Sequence, residues 1–223
     1  MVMSFELRLR AVTPLTVGWG VPELLGADVI YAKKLVVTGG KRELRTYVPG
    51  SSVKGALRTS AHRVAPAYGF TSCGEVHPER VRKAHRGCVC DVCRLFGYPG
   101  AEGPSPLLVS NFERVGPDTT FRMTRVSIDR STLRAREGAL YTMEHVVPRA
   151  EFAGVLRVRE DQGVVPRLLG LLLLAIAELR TWRFGRMSIV DLRIVDGGLL
   201  DRFVEPKWLG LLGELRRWLW VRR

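Results

Sequence analysis

Cys73, His77, His85, Cys88, Cys90 and Cys93 crowd into one short stretch, TSCGEVHPERVRKAHRGCVCDVCRLFG. Thiolate and imidazole are the ligands of tetrahedral zinc, usually offered by two knuckles separated by a loop. Cys90-x-x-Cys93 is one such knuckle, and Cys73 with Cys88, or with His77, supplies the other. The ligand set read here is Cys73, Cys88, Cys90 and Cys93, with His77 or His85 as replacements for a cysteine. All 4 cysteines of the chain lie in this stretch, which in a reducing compartment means metal rather than disulfides. The HxE…PCxxC spacing of zinc deaminases is absent, so the Zn2+ is expected to be structural.

A second chemical stretch is TYVPGSSVKGALRTSAHRV. Ser51-x-x-Lys54 matches the S-x-x-K of serine acyl enzymes, but their SDN and KTG partners are missing. Gly50 to Gly55 differs from a P-loop because Lys54 precedes the second glycine. What remains is a Pro-Gly-Ser-Ser turn opening a helix, with Lys54 and Arg58 on one face. Backbone N–H groups at a helix start favour an anion, and cations there are out of place unless an anion arrives from outside.

Charge points the same way. In 223 residues, 35 Lys and Arg stand against 22 Asp and Glu, a net charge of +13. The excess is mostly arginine, whose planar fork suits phosphate, so a polyanion is the leading partner class. The opening MVMSFELRLR lacks the apolar core of a secretory signal, and LLGLLLLAIA is too short to span a bilayer. A cytoplasmic protein is expected.

The elements that must position these groups follow from periodicity. SFELRLRA alternates as a half-buried strand, with Phe5, Leu7, Leu9 and Ala11 on one face. TGGKRE is a turn, and a helix starts at Ser51 or Ser52, burying Val53, Ala56, Leu57 and Ala61. Residues 66–100 form a metal-stapled insertion. LLVSNFERV and EFAGVLRVRE are strands; between them, residues 120–145 make two extended arms around a basic loop. VVPRLLGLLLLAIAELRTWRFG is a buried helix ending near Gly185, MSIVDLRIVDG is a strand, and EPKWLGLLGELRRWLW is a terminal amphipathic helix carrying Trp208, Leu212, Leu215 and Leu219 on one side. The order predicts an α+β fold of ferredoxin-like or RRM type, one domain over residues 1–223.

YVPGSSVKGALR, CVCDVCRLFG, IDRSTLRAREGALYTMEHVVPRAEF and RTWRFGRMSIVDLRI, in this order, resemble the signature segments of the RAMP superfamily. The nearest likeness is to backbone subunits of type III, Csm- and Cmr-type, CRISPR interference complexes. That resemblance implies an RRM-like palm with a β-hairpin thumb, other RAMP subunits and further copies of the chain as neighbours, and CRISPR guide RNA with complementary target RNA as partners. It implies that Ser51, Ser52, Lys54 and Arg58 grip the guide backbone, that Arg125, Arg130, Arg134 and Arg136 belong to the thumb with Leu133 or Met123 as an apolar wedge, and that Arg183 and Arg186 flank the one glycine left of a glycine-rich loop. It also implies that Asp28, in GAD, takes the place of the aspartate needed for target cleavage, with Glu23 the other nearby acid. A divalent cation such as Mg2+ is then the expected helper, and endoribonuclease activity the expected reaction. The alternatives are a silent RNA-binding scaffold and a guide-processing endoribonuclease using His62 and His145; both histidines read better as packing or surface groups.

Overall fold

A computed structural model describes residues 2–20, 26–85, 87–159 and 165–220. β1 (Val2–Ala11) buries Met3, Phe5, Leu7, Leu9 and Ala11 and turns Ser4, Glu6, Arg8 and Arg10 outward. That is the alternation its sequence dictates, since successive strand side chains point to opposite faces.

β2 (Lys33–Thr38) and β3 (Lys41–Val48) form a hairpin closed by Gly39 and Gly40, both at positive φ, as a two-residue turn matched to strand twist requires. α1 (Gly50–Val64) follows. It begins one residue earlier than the serines suggested, with Pro49 as N-cap and no side-chain cap. Two short helices, α2 (Pro78–Ala84) and α3 (Asp91–Phe96), occupy the cysteine-rich region. β4 (Leu107–Val109) and β5 (Phe112–Val115) lead into a long hairpin of β6 (Thr120–Ile128) and β7 (Ala135–Val146). β8 (Glu151–Arg159), α4 (Val165–Thr181), the short β9 (Arg183–Phe184), β10 (Ser188–Val195) and α5 (Leu209–Leu215) complete the chain.

The fold is mixed α+β. One antiparallel sheet runs β2-β3-β5-β8-β1-β10-β9, with β4 also paired to β8, and β6 and β7 form a separate two-stranded sheet. The four central strands, β5-β8-β1-β10, and the two long helices follow one another in the chain as β1-α1-β5-β8-α4-β10, a β-α-β-β-α-β order, with α1 and α4 packed together over the apolar face. Leu168, Leu169, Leu171, Leu172, Leu173, Leu174 and Ile176 of α4 are all buried; a helix apolar all round needs cover on more than one side. α1, β10 and α5 all pack against it. Among the described residues no helix is long and apolar enough to cross a membrane.

The terminal helix is shorter than its pattern predicts. α5 stops at Leu215, and Leu219 is exposed rather than aligned with Leu212 and Leu215. Gly210 and Gly213 weaken the helix, and side chains capture the backbone beyond it. Arg180 donates to the carbonyls of Glu214 and Arg217, while Arg216 pairs with Asp196 and Asp201.

Candidate functional site

The connection after β1 is tied to the long hairpin at two bridges, Leu15 with Val146 and Val29 with Met143, and closed on itself by Gly18 with Tyr31. The Asp28 carboxylate accepts the Thr142 amide at 2.7 Å from Oδ2 and stays exposed. Gly18, Gly20, Asp28, Val29 and Arg186 line a shallow pocket of about 290 Å3 at the hairpin's base. Arg186 reaches it because Gly185, at φ 55°, lets its backbone press onto Thr16, whose carbonyl accepts the Arg186 amide at 3.2 Å. A Cβ at Gly185 would collide with that carbonyl. Arg183 turns to the Met187 sulfur at 2.9 Å. Glu23 lies outside the described residues.

Below the pocket, Glu144 is buried and accepts from Lys33 at 2.6 Å, the Tyr31 amide at 3.0 Å and Thr120 at 2.9 Å. Burial pushes its carboxyl up, but these three donors outweigh that and hold it below its ordinary value. His145 is fully buried, stacked on Phe121 and hydrogen-bonded through Nδ1 to Thr16 at 2.7 Å. Burial and nearby Arg125 hold it neutral. His62 sits instead on α1, bonded to Ser72 at 2.7 Å. Neither arrangement is an exposed acid–base pair.

At the other end of the hairpin, Asp129 accepts from the Ser131 hydroxyl and from the amides of Ser131 and Thr132. These donors, with Arg136, lower its pKa to about 2. The turn they lock presents Leu133 at φ 55° and 80% exposure. Arg130 and Arg134 are exposed and their side chains make no hydrogen bond or ion pair among the described residues; Arg125 lies lower on the hairpin with its Nε buried and unpartnered.

The basic face of α1 points inward. The Lys54 ammonium donates to Ser105 at 3.0 Å and the Leu107 carbonyl at 2.9 Å, and burial followed by Arg58 lowers its pKa. Arg58 donates to the Gly97 carbonyl at 3.1 Å and the Cys93 sulfur at 3.2 Å. Ser51 is exposed and Ser52 half-buried. In this arrangement the sequence-predicted phosphate cations serve the protein's own carbonyls and thiol.

Arg58 leads to the cysteine cluster. The structure gathers Cys73, His85, Cys90 and Cys93, their ligand atoms all within 4.8 Å of one another. Cys88 is not part of it. Cys88 and Cys90 are two residues apart on a short irregular stretch; Cys90 goes into the cluster and Cys88 to solvent. The Cys88 carbonyl instead meets His85 Nδ1 at 3.1 Å, leaving Nε2 facing the Cys90 sulfur at 3.8 Å. A hydrogen bond on the far ring nitrogen is how ligating histidines are oriented. The Cys73–Cys93 sulfur separation is 3.7 Å, against roughly 3.8 Å for a tetrahedral edge built on zinc–thiolate bonds. The Cys93 thiol and amide hold Cys90 as thiolate, with a pKa lowered to about 4, and the shared proton pushes Cys93 up. Donor set and spacing therefore fit Zn2+. The Asp28 pocket fits a resident Mg2+ poorly: among the described residues its lining holds one carboxylate and an arginine, where that ion takes carboxylates, waters and phosphate oxygens.

His85 was among the replacements the sequence offered for a cysteine, and the structure brings it into the cluster in place of Cys88. The sequence missed two further features. Glu144 as buried anchor and Trp218, which lies over Arg10 and Arg193 at 4.2 and 4.8 Å, had no local signal, because both depend on distant strands. No curated protein matches the chain. The family model described as the RAMP superfamily matches residues 8–188, from β1 to the start of β10. RAMP superfamily proteins bind RNA and act in CRISPR systems, and this chain belongs to that superfamily.

Proposed function

We propose that the chain is a backbone subunit of a type III CRISPR interference complex that holds guide RNA along its length and cuts the paired target RNA at Asp28. The observation that carries this reading is the Asp28 pocket, an exposed carboxylate fixed at the base of a projecting hairpin in a lining shared with Arg186. The β-α-β-β-α-β order around β1 supports a ferredoxin-like, RRM-type palm. The β6–β7 hairpin suits a thumb: it is a separate two-stranded sheet, with Val126, Ile128, Leu133 and Leu140 exposed, and such a ribbon is marginal in water without a partner. Leu133 at the locked tip is the wedge that parts a guide–target base pair. Arg130 and Arg134 meet phosphates beside it. Ser51 and Ser52 offer the α1 N-terminus to the guide, and further copies of the chain and other RAMP subunits continue the filament.

At the pocket, an unstacked target nucleotide places its 2′-hydroxyl on the adjacent phosphate. Asp28, held by Thr142 through Oδ2, takes the hydroxyl proton on its other oxygen. The 2′-oxygen attacks phosphorus, the bond to the 5′-oxygen breaks, and that oxygen leaves with a proton from water. Arg186 neutralises charge gathering on the phosphate. The products are a 2′,3′-cyclic phosphate and a 5′-hydroxyl. Zn2+ held by Cys73, His85, Cys90 and Cys93 would cross-link α3 to the segments on either side of α2, a structural role outside this step.

The test is Asp28→Asn assembled into its complex with guide RNA. Target cutting is expected to fall by at least about a hundredfold, with target binding unchanged. Undiminished cutting would assign the subunit to the scaffold role, which the amide bond at Oδ2 favours because it makes Asp28 a loop anchor as well.

A further inference from the structure

The sheet has a second face, turned away from α1 and α4, and it carries its own pattern. Outward residues of β1 are Ser4, Glu6, Arg8 and Arg10. Register sets Arg8 directly opposite Arg193 of β10 on one side and Ala153 of β8 on the other. Two like charges directly opposite on one face destabilise a sheet. The acids facing this pair offset it only in part. Glu6 takes the Arg8 Nε at 2.6 Å, and Glu151 lies within electrostatic reach of Arg8. The terminal nitrogens of Arg8 make no hydrogen bond among the described residues. Arg193 has no carboxylate partner there, and its Nε is buried and unpartnered.

An aromatic group flanks each end of this row. The tail after α5 is fastened by the Trp220 amide on Asp191 at 2.8 Å and by Arg10 on the Trp220 carbonyl at 3.0 Å, which lays Trp218 over Arg10 and Arg193. In the opposite direction the row continues from Ala153 to Glu113 of β5 and Tyr47 of β3. Tyr47 is met edge-on by Trp19, which is 46% exposed. Five strands at sheet spacing put Tyr47 roughly 19 Å from Arg193.

We propose that this outward sheet face is a second RNA surface, one that takes a single strand, with Arg8 and Arg193 on neighbouring phosphates and Trp218 and the Trp19–Tyr47 pair stacking bases at either end. It rests on the RNA-binding reading above but uses none of the Asp28, hairpin or α1 residues. Cations bracketed by aromatic rings on a sheet are the chemistry of single-stranded nucleic acid, where bases stack and phosphates pair. An acidic protein surface would engage the arginines and leave the rings without a role.

The experiment titrates the full chain against a fluorescein-labelled twenty-nucleotide oligouridine by anisotropy at several salt concentrations. Arg8→Gln with Arg193→Gln is expected to weaken binding at least tenfold and to lower the salt slope by about 1.4, the value for two single-strand phosphates. Trp218→Phe is expected to bind within about twofold of the parent, and Trp218→Ala to lose roughly tenfold, as one stacked base requires. Should the double variant fail to fold, photocrosslinking of 4-thiouridine RNA to the unaltered chain is expected to label peptides carrying residues 2–11, 188–195 or 218. An unchanged salt slope in a folded double variant, crosslinks confined to the β6–β7 hairpin, or equal competition by polyglutamate would each overturn this surface while leaving RNA binding intact. No RNA binding by the unaltered chain would overturn both readings.

Discussion

The cysteine–histidine cluster and the Asp28 pocket are built in opposite ways. In the cluster every chemical group is spent on another: Arg58 on Cys93, the Cys93 amide on Cys90, the Cys88 carbonyl on His85. Cys90 and Cys93 are buried, and the four donor atoms converge on one point. In the Asp28 pocket one carboxylate oxygen is fixed by an amide and the other makes no hydrogen bond among the described residues, in a lining that also includes Arg186. Closed satisfaction suits groups that hold the fold; the spare Asp28 oxygen is the one the proposed cleavage would use. Lys54 and Arg58 belong with the first kind, although their sequence context suggested the second.

The largest effect expected from breaking this contrast is at the cluster. Elemental analysis of the parent is expected to find about one zinc per chain; Cys90→Ser is expected to abolish it and to lower the midpoint of thermal unfolding by more than about 5 °C. Cys88→Ser is expected to change neither quantity. Retention of zinc by the first variant would remove Cys90 from the ligand set, and its loss in the second would place Cys88 in it.

Glu144→Gln is expected to cost less, about 1–2 kcal/mol at pH 7, because Lys33 is partly exposed and screens the pair. The sign with pH follows from a folded carboxyl held below its ordinary value of 4.5. Its contribution is complete above that value and is lost as pH falls through the lower folded value. Urea unfolding of parent and variant should therefore converge below pH 4.5; a gap that widens there would contradict the assignment.

The smallest effect is at the hairpin tip. Asp129→Ala is expected to leave global unfolding unchanged while hydrogen exchange speeds up at the Ser131 and Thr132 amides that the carboxylate accepts. Unchanged exchange would remove the claim that the tip is locked.

Much of this was legible from local pattern. The alternation of β1, the Gly39–Gly40 turn, the apolar run of α4 and the Cys90–Cys93 knuckle are short-range signals with one physical meaning each. What was illegible depended on side chains arriving from elsewhere in the chain. Lys54 looks like a phosphate ligand until Leu107 supplies its carbonyl, and Leu219 continues an amphipathic stripe until Arg180 captures the Arg217 carbonyl and Asp191 the Trp220 amide on either side of it. Asp28 owes its position to Thr142, more than a hundred residues away. The neighbour set of Asp28 was therefore not readable from GAD itself.

Replacing the ribose by deoxyribose at single target positions, in the assembled complex with guide RNA, addresses the chemistry directly. If Asp28 takes the proton of an attacking 2′-hydroxyl, each deoxyribose at a cut position silences that cut alone, and the unmodified cut positions still yield 2′,3′-cyclic phosphate ends. Continued cutting at the deoxy position, or products ending in a 3′-hydroxyl and 5′-phosphate, would contradict the account.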